Sequence, residues 1–486
     1  MCDTIGVNDM SPLTRVPCVD INANNLDNWW PHMITAINSC NYVALDLELS
    51  GLGARDKLNA KQIDERYKAV VCTAKTRSVL SIGFAFFTFT DKNSGDISNK
   101  CVKNKTKTKK QTNCQTKANN SSVTDDIQDV NSESDVKTGD KQWKITAKVF
   151  NLLCLCDEEY ICEPETMRFL ASHGFDFNGQ CLHGLPYHRG NDTEYEDSTT
   201  PSIRKLITEI IRHKLPIVLH NGFIDLVFLY QNFYSDLPND LQTFIADLVE
   251  LFPSGIFDTK YIADFHERLN RSYLEYLFYE KQRYNIERSM NGQTYIDITF
   301  TSYSHNLLDI EYQDLSTKIA SEPNIAIDIC LDYANHGWCK LKDLCKNSHN
   351  IDHILDKKNT SKRIKKMIRK LKKKNEEQLY EDSNDEHNSS PVEMIVNMNH
   401  SRQGVHSAGY DAFMTGYCFA YYMAVNAKSR QLSSKQLCFK SLGISQLVNN
   451  IYLIGKDQSL RINASSFAKT SNNHKIKIKR IHTNNS

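Results

Sequence analysis

The sequence lacks the features of membrane and secreted proteins, and it has almost no net charge. No stretch approaches the ~20 consecutive apolar residues of a membrane span, and residues 1–50 contain no apolar run long enough for a signal peptide. The 59 Lys and Arg residues nearly balance the 58 Asp and Glu residues. We therefore expect no membrane partner, and we expect charge-driven binding to depend on local patches.

A regular cysteine framework is also missing, and one segment has no aromatic residues. The 15 cysteines show no repeated spacing, which favours a reducing compartment in which they act as core residues or metal ligands. Residues 91–142 contain no aromatic residue and consist mainly of Lys, Asn, Ser, Thr and Asp. Because this composition buries too little apolar surface to offset the entropy of ordering, it predicts a disordered insertion.

The rest of the sequence alternates between the patterns of strands and helices. Runs rich in β-branched and aromatic residues predict strands, whereas apolar residues at helical spacing predict helices. The predicted strands are 42–49, 79–89, 144–156 and 216–220 with a short pair within 450–463, and the predicted helices are 60–75, 165–173, 202–214, 224–234, 240–252, 265–282 and 407–427. This alternation indicates an α/β domain with a mixed central sheet flanked by helices. The basic tail, residues 466–486, is predicted to be disordered.

Four carboxylates and a histidine lie at the ends of these elements. Asp46 and Glu48 are two residues apart on the first strand, so their side chains point to the same face. Asp225 lies in the first turn of the helix after the fourth strand. Asp411 lies in the first turn of the late helix, and His406 lies on the loop before it. Each feature alone is weak, because the helix dipole favours acids in first turns and a carboxylate pair can simply face water.

In this order, the five residues resemble the DEDD exonuclease superfamily, in the branch with a histidine before the last acid. Similarity to poly(A)-specific ribonucleases and CAF1-type deadenylases extends to residues 169–178, 184–187, 220–223 and 257–261. The resemblance implies a ribonuclease H-like exonuclease fold, split between residues 28–285 and 403–465.

The resemblance also implies roles for individual residues. Two Mg²⁺ or Mn²⁺ ions would be held by Asp46, Glu48, Asp225 and Asp411. His406 would act as general base for the attacking water. Contacts with the terminal nucleotide would come from Leu49, Ser50, Gly51 and Asn221. For residues 49–51, an ordinary turn after a strand is an equally good interpretation.

A second metal site is predicted from the spacing of three cysteines and a histidine. The pattern C-x8-C-x5-C-x3-H is formed by Cys330, Cys339, Cys345 and His349. Three thiolates and one imidazole complete the tetrahedral shell of a structural zinc ion, so residues 325–355 are predicted to form a CCCH zinc finger. His353 competes as the fourth ligand, but the spacing favours His349.

The sequence leaves the binding partner of this finger open. Fingers of this type often bind single-stranded RNA by stacking bases on aromatic side chains, for which Tyr333 and Trp338 are candidates. Residues 346–348, however, lack the aromatic side chain that RNA-binding fingers usually carry there. The finger therefore binds RNA or serves protein contacts.

A strongly basic segment follows the finger. Residues 357–374 contain eleven Lys or Arg in eighteen positions, which indicates a nuclear localisation signal that binds an import receptor, or a nucleic-acid patch. Ile364, Met367, Ile368 and Leu371 form an apolar helical stripe, so a membrane-surface or calmodulin-type helix stays open, as does a solvated linker. Residues 376–402 are predicted to be a disordered linker.

Together, these features and the resemblance imply a nuclear, Mg²⁺-dependent 3′→5′ exoribonuclease that trims oligo(A) or poly(A) tails. The substrates would include small nuclear RNA precursors, and the site of action would be the nucleoplasm, nucleolus or Cajal bodies. The oligomeric state stays open, with a homodimer as one candidate because related deadenylases can form dimers. The alternatives are an RNA-binding protein with a feeble nuclease fold and a DNA exonuclease of the same superfamily.

Overall fold

The computed structural model describes residues 13–90, 141–192, 200–303, 309–315, 328–357, 407–427, 439 and 442–483. Several predicted features lie wholly or largely outside these ranges, namely the insertion 91–142, the basic segment after Lys357, the linker 376–402 and His406. In the described part of the chain, no helix is both long and apolar enough to cross a membrane.

Among the described residues, eleven strands form one mixed sheet. In chain order they are β1 Arg15–Ile21, β2 Tyr42–Leu49, β3 Val79–Phe89, β4 Gln142–Cys156, β5 Leu185–Tyr187, β6 Ile217–Leu219, β7 Ile256–Asp258, β8 Tyr295–Phe300, β9 Ile310–Asp314, β10 Asn450–Ile451 and β11 Leu460–Arg461. The spatial order is β11-β10-β7-β6-β2-β3-β4-β1-β9, and β5 and β8 also pair with β4. Strand β3 is antiparallel to β2 and β4, whereas β6 runs parallel to β2 and β7.

Helices cover both faces of this sheet. They are α1 Leu26–Ser39, α2 Arg55–Leu58, α3 Ile63–Thr76, α4 Pro164–Ser172, α5 Phe177–His183, α6 Ile203–Arg212, α7 Phe223–Phe233, α8 Leu241–Leu251, α9 Thr259–Tyr261, α10 Leu274–Met290, α11 Leu331–His336, α12 351–357, α13 Ala408–Asn426 and α14 Asn472–Thr483. A π-helical turn covers Ile262–His266, and 3₁₀ turns cover Lys342–Leu344 and Ser445–Leu447. The predicted α/β fold is confirmed.

Alternating side chains along β2 divide the core into two layers. Val43 and Leu45 face a layer that includes α1, α3, α6, α7 and α8. Tyr42 and Ala44 face the opposite layer, which contains α10 and α13. Helix α13 lies against β2, β3 and β4, and each of its residues from Ala408 to Ala424 is buried. This helix is therefore a central element of the second layer.

The domain built on the central sheet extends beyond the predicted ranges 28–285 and 403–465. Strand β1 lies before residue 28 and pairs with β4, which pairs with β8 as well. Strand β9 continues the sheet beyond β1. The predicted boundaries are too narrow because these strands join the sheet through long-range hydrogen bonds, which no local pattern encodes.

The tail predicted to be disordered, residues 466–486, contains helix α14. The Tyr234 hydroxyl and His474 Nδ1 are hydrogen-bonded at 2.9 Å, and Lys477 Nζ donates to the Tyr234 carbonyl oxygen at 2.7 Å. Ile481 is buried in the same core layer as α6. The prediction of disorder is wrong because α14 is held by contacts with residues far away in the sequence, such as Tyr234. The basic composition of the tail gives no sign of these contacts.

One predicted helix is displaced. The helix predicted at 265–282 is observed as α10, Leu274–Met290, with the π-helical turn before it. No Pro or Gly lies between residues 267 and 273 to mark this break in the sequence. The start of α10 therefore depends on packing rather than on a local signal.

Candidate active site

Strand β2 carries the first two acids into the layer occupied by α13. Asp46 and Glu48 continue the series of alternate residues begun by Tyr42 and Ala44, so they face the same side of the sheet. Helix α13 crosses β2 on this side and carries Asp411 in its first turn. The fold thus directs three carboxylates towards one point.

A glycine on β3 permits this approach. Gly83 is paired with Asp46 in the antiparallel register. A Cβ atom at Gly83 would overlap the carbonyl oxygen of Ala408, the first residue of α13. Because glycine has no side chain, the start of α13 can pack directly onto the strand, next to the acids.

The acids form a compact cluster. One carboxylate oxygen from each of Asp46, Glu48 and Asp411 lies within 4.8 Å of the other two. Burial raises the pKa of Asp46 well above its ordinary value, and the negative charges of Asp411, Asp225 and Glu48 raise it further. Burial also raises the pKa of Asp225 to about 7. Carboxylates held this close repel one another unless a cation lies between them, and such hard oxygen ligands suit Mg²⁺ or Mn²⁺.

Asp258 organises the backbone that leads to Asp225. It lies fully buried at the end of β7, where burial raises the pKa of its carboxyl group. Its carboxylate accepts hydrogen bonds, at 2.9–3.2 Å, from the backbone amides of Asn221, Gly222, Lys260, Tyr261 and Tyr452. Sequence reasoning assigned no role to Asp258, although an acid directly after the apolar residues of a short strand was an available signal.

Replacing Asp258 with alanine is expected to lower the free energy of unfolding by about 3 kcal/mol or more, because several buried amides lose their acceptor. Asp240→Ala is a matched control, since the Asp240 carboxylate caps α8 by accepting from the Thr243 amide at 2.8 Å. Loss of that cap should cost about 1 kcal/mol. Urea denaturation measures both changes, and equal changes would contradict the organising role of Asp258.

The predicted zinc ligands also converge. The ligand atoms of Cys330, Cys339, Cys345 and His349 all lie within 4.8 Å of one another. His353 lies apart from this group, and its Nδ1 pairs with the Ser348 hydroxyl at 2.9 Å. Three thiols and one imidazole at this spacing fit a tetrahedral zinc site. This site lies in the segment of residues 328–357, the finger.

The finger is fixed to α10. Its apolar residues and Tyr276 of α10 form a small core, which contains Tyr276, Ile329, Ala334, Ile351, Ile354 and Leu355. Arg283 of α10 pairs with Asp352 at 2.8 Å and with Asp356 at 2.6 Å. Helix α10 in turn packs on α13, where the rings of Phe278 and Tyr417 are 5.1 Å apart. The finger is therefore tied to the helix that carries the last acid.

A cleft of about 810 Å³ lies between the domain built on the central sheet and the finger. Glu48 and Asp225 line it on the side of the sheet, and Trp338 and Lys342 line it on the side of the finger. Half-exposed apolar side chains also line the cleft, namely Leu52, Phe169 and Ile454. This mixture of acidic, basic and apolar surface suits a ligand that carries both phosphates and flat bases.

Comparison with known families decides what kind of protein carries this site. The family described as CAF1 family ribonuclease matches residues 21–200 and 193–419, which include all four acids. The chain belongs to the CAF1 family of ribonucleases. The matched residues also include the finger, whereas the CAF1 match ends before α14.

Individual proteins match this chain either over a short stretch or at low sequence identity. Pre-piRNA 3′-exonuclease trimmer of Bombyx mori is 47% identical over 51 residues, which is 10% of this chain and 9% of that protein. The RNase domain of yeast Pop2 has 12% identity and a TM-score of 0.32, over 56% of this chain and 78% of that one. S. pombe Pop2p with bound Mg²⁺ and Mn²⁺ has 15% identity and a TM-score of 0.35, over 55% and 82%. This CAF1 chain thus spans about a tenth of the curated relative that it matches.

The residues expected to contact the nucleotide are divided by the structure. Leu49 and Asn221 line the cleft of the CAF1 domain. Ser50 is fully buried, and its hydroxyl donates to the Ile161 carbonyl oxygen at 2.7 Å, which contradicts a direct contact with substrate. Gly51 is buried too, and a Cβ atom there would overlap the Glu163 side chain rather than face a ligand.

Glu163 holds the turn that contains Ser50 and Gly51. Its carboxylate accepts hydrogen bonds from the amides of Leu52 at 3.1 Å and Gly53 at 2.8 Å, and so fixes the turn after β2. The absence of a side chain at Gly51 therefore makes room for the Glu163 side chain. His406, the expected general base, precedes Ser407 and lies outside the described residues.

Proposed function

We propose that this CAF1 family protein is a divalent-metal-dependent 3′→5′ exoribonuclease that removes adenylates from RNA 3′ ends. The observation that carries this proposal is the convergence of Asp46, Glu48 and Asp411 within 4.8 Å. The site lines a cleft that reaches from the acids to a Cys₃His cluster. Acids of this kind have little use in a protein that only binds RNA.

Each part of the site has a distinct task in this proposal. Two Mg²⁺ or Mn²⁺ ions, held by Asp46, Glu48, Asp225 and Asp411, would supply an activated water and neutralise charge at the phosphate. Strand β2 and the first turn of α13 hold three of these acids in register, and Asp258 holds the backbone before the fourth. His406 would accept the proton of the attacking water. One Zn²⁺ at the Cys₃His cluster would cross-link the finger.

Incubation of 3′-adenylated RNA with the full-length protein tests the activity directly. We expect shortening from the 3′ end in Mg²⁺ and none in EDTA, because the acids cannot act without a cation. Binding without shortening in either condition would favour an RNA-binding protein with an inactive nuclease fold. Equal rates on a matched DNA would favour a DNA exonuclease.

For the cellular substrate, we propose the adenylated 3′ ends of small nuclear RNA precursors. A second candidate is trimming of the 3′ ends of other small RNAs, which the 47% identity over 51 residues to the pre-piRNA 3′-exonuclease trimmer favours. Sequencing of RNA 3′ ends after depletion distinguishes the two. Oligo(A) extensions on small nuclear RNA support the first candidate, whereas mixed extensions on other small RNAs support the second.

We further propose that the basic segment directs the protein to the nucleus through an import receptor. Deletion of residues 362–374 should move a tagged protein to the cytoplasm, because it removes most of the positive charge of the segment. Deletion of residues 378–390, an acidic and polar stretch of equal length, is the matched control. Continued nuclear accumulation without residues 362–374, seen by fluorescence microscopy, would contradict this proposal.

A further inference from the structure

The finger contributes a wall of the active-site cleft. We propose that Trp338 and Lys342 bind the RNA strand upstream of the scissile bond, Trp338 by stacking on a base and Lys342 by contact with a phosphate. This inference rests on the proposed exoribonuclease function. Both side chains line the same cleft as Glu48 and Asp225, so a strand whose 3′ end reaches the acids passes beside the finger.

Trp338 is placed at the surface of the cleft by the backbone before it. Its side chain is 54% exposed, so the indole is accessible to a ligand in the cleft. Gly337 ends α11 in the left-handed region with φ of 74°, and a Cβ atom there would lie only 2.7 Å from the Tyr273 ring. Because this backbone packs tightly on Tyr273, the indole is presented from a fixed base.

Tyr333, the other aromatic candidate of the finger, has a different task. Its ring is stacked on His349 at 4.5 Å with an interplanar angle of 8°. Its hydroxyl donates to the Glu275 carboxylate at 3.0 Å. Tyr333 thus supports a zinc ligand and joins the finger to α10. Trp338 is consequently the aromatic residue of the finger that offers a ring face to a base.

Lys342 supplies the positive charge on this wall. It is an exposed residue with φ of 45°, in the left-handed region that residues other than glycine rarely adopt. Two acids also line this part of the cleft, but the Asp352 carboxylate is paired with Arg283 and Glu275 accepts from Tyr333. The lysine ammonium group is therefore placed to meet an RNA phosphate.

A length-dependence measurement on the full-length protein tests the proposal. The ratio of KM for a long oligo(A) to KM for a trinucleotide is measured for the wild type and for Trp338→Ala. We expect this ratio to rise about 10-fold in the variant, with most of the effect in KM rather than kcat, because only the long substrate reaches the indole. Trp338→Phe should restore most of the loss.

Two further variants sharpen the result. Leu341→Ala is the matched control, since Leu341 is an apolar finger residue, 58% exposed, next to Lys342 but outside the cleft lining. It should keep the wild-type ratio. Lys342→Gln should reduce the slope of log KM against log salt for the long substrate by about 0.7, the value for one phosphate contact on a single strand.

The possible results separate the inference from the proposed function. A wild-type ratio in Trp338→Ala and Trp338→Phe, at wild-type zinc content, would overturn the stacking role. Equal losses on long and short substrates would also overturn it, because they would show a purely structural role. If the wild type itself failed to shorten the trinucleotide and the long RNA, the exoribonuclease proposal would fall, and this inference with it.

Discussion

Asp46→Asn is expected to lower the rate of RNA shortening by about 10³-fold or more while the fold stays intact. Loss of a metal ligand removes several kcal/mol of transition-state stabilisation, and each 1.4 kcal/mol corresponds to roughly tenfold in rate. The amide side chain keeps the shape of the carboxylate at the centre of the cluster formed with Glu48 and Asp411. The effect should therefore appear in kcat rather than in the unfolding transition.

The thermal stability of Asp46→Asn, unlike its rate of RNA shortening, should not fall. Burial, followed by the negative charges of Asp411, Asp225 and Glu48, raises the pKa of Asp46, so an ionised carboxylate is unfavourable here without a cation. Removing this charge relieves the repulsion, so the melting temperature in EDTA should equal or exceed that of the wild type. Thermal unfolding in EDTA and single-turnover rates in Mg²⁺ measure the two effects separately.

Asp64→Asn is the control for this prediction, and His406→Ala tests another part of the proposed site. Asp64→Asn changes an exposed acid in the first turn of α3 and should leave the rate unchanged. His406→Ala should lower the rate by about 10²–10⁴-fold, the usual effect of losing a general base. Wild-type rates in a protein with both Asp46→Asn and Asp411→Asn would rule out the proposed site.

Gly83→Val is expected to be the most disruptive change that adds atoms next to the site. Any Cβ atom at this position overlaps the Ala408 carbonyl oxygen, so α13 must move away from β3. Overpacking of this kind typically costs about 1–3 kcal/mol of stability, and a displacement of α13 also moves Asp411 away from the other acids. We expect the rate to fall about 10²-fold even where the protein remains folded.

Gly416→Ala provides the comparison for this variant. Gly416 lies further along α13, and a Cβ atom there would overlap the Phe87 ring rather than the backbone. Both changes overpack the contact between α13 and β3, but only Gly83 faces Asp46. Chemical denaturation should show that both variants are destabilised, while RNA shortening falls mainly in Gly83→Val. Equal loss of activity in the two would mean that the position of Asp411 is not the cause.

Much of the fold could be predicted because its signals are local. The strands 42–49 and 79–89 are observed at those residues, since runs of buried β-formers specify a strand by themselves. Asp225 and Asp411 lie in the first turns of α7 and α13, where the helix signals placed them. The spacing of the cysteines and His349 likewise predicted which side chains converge in the finger.

Predictions were less accurate for residues whose role depends on contacts with distant parts of the sequence. Ser50 and Gly51 follow the first motif in sequence, but in the structure they pack against the segment of Glu163. The role of Asp258 was missed because its hydrogen-bond partners include Tyr452, almost two hundred residues away. Helix α14 was missed for the same reason, because its stability depends on Tyr234 and other distant residues.

The α/β class could be derived from sequence patterns alone, and the same patterns predicted the four acids and the Cys₃His set of the finger. These properties follow from periodicity and short spacings, which act over a few residues and can be seen in any one segment. The folded arrangement alone shows that Gly83 lets α13 reach Asp46 and that Trp338 shares a cleft with the acids. Both features depend on how closely two parts of the chain that are distant in sequence pack together. A pattern within one segment does not specify that distance.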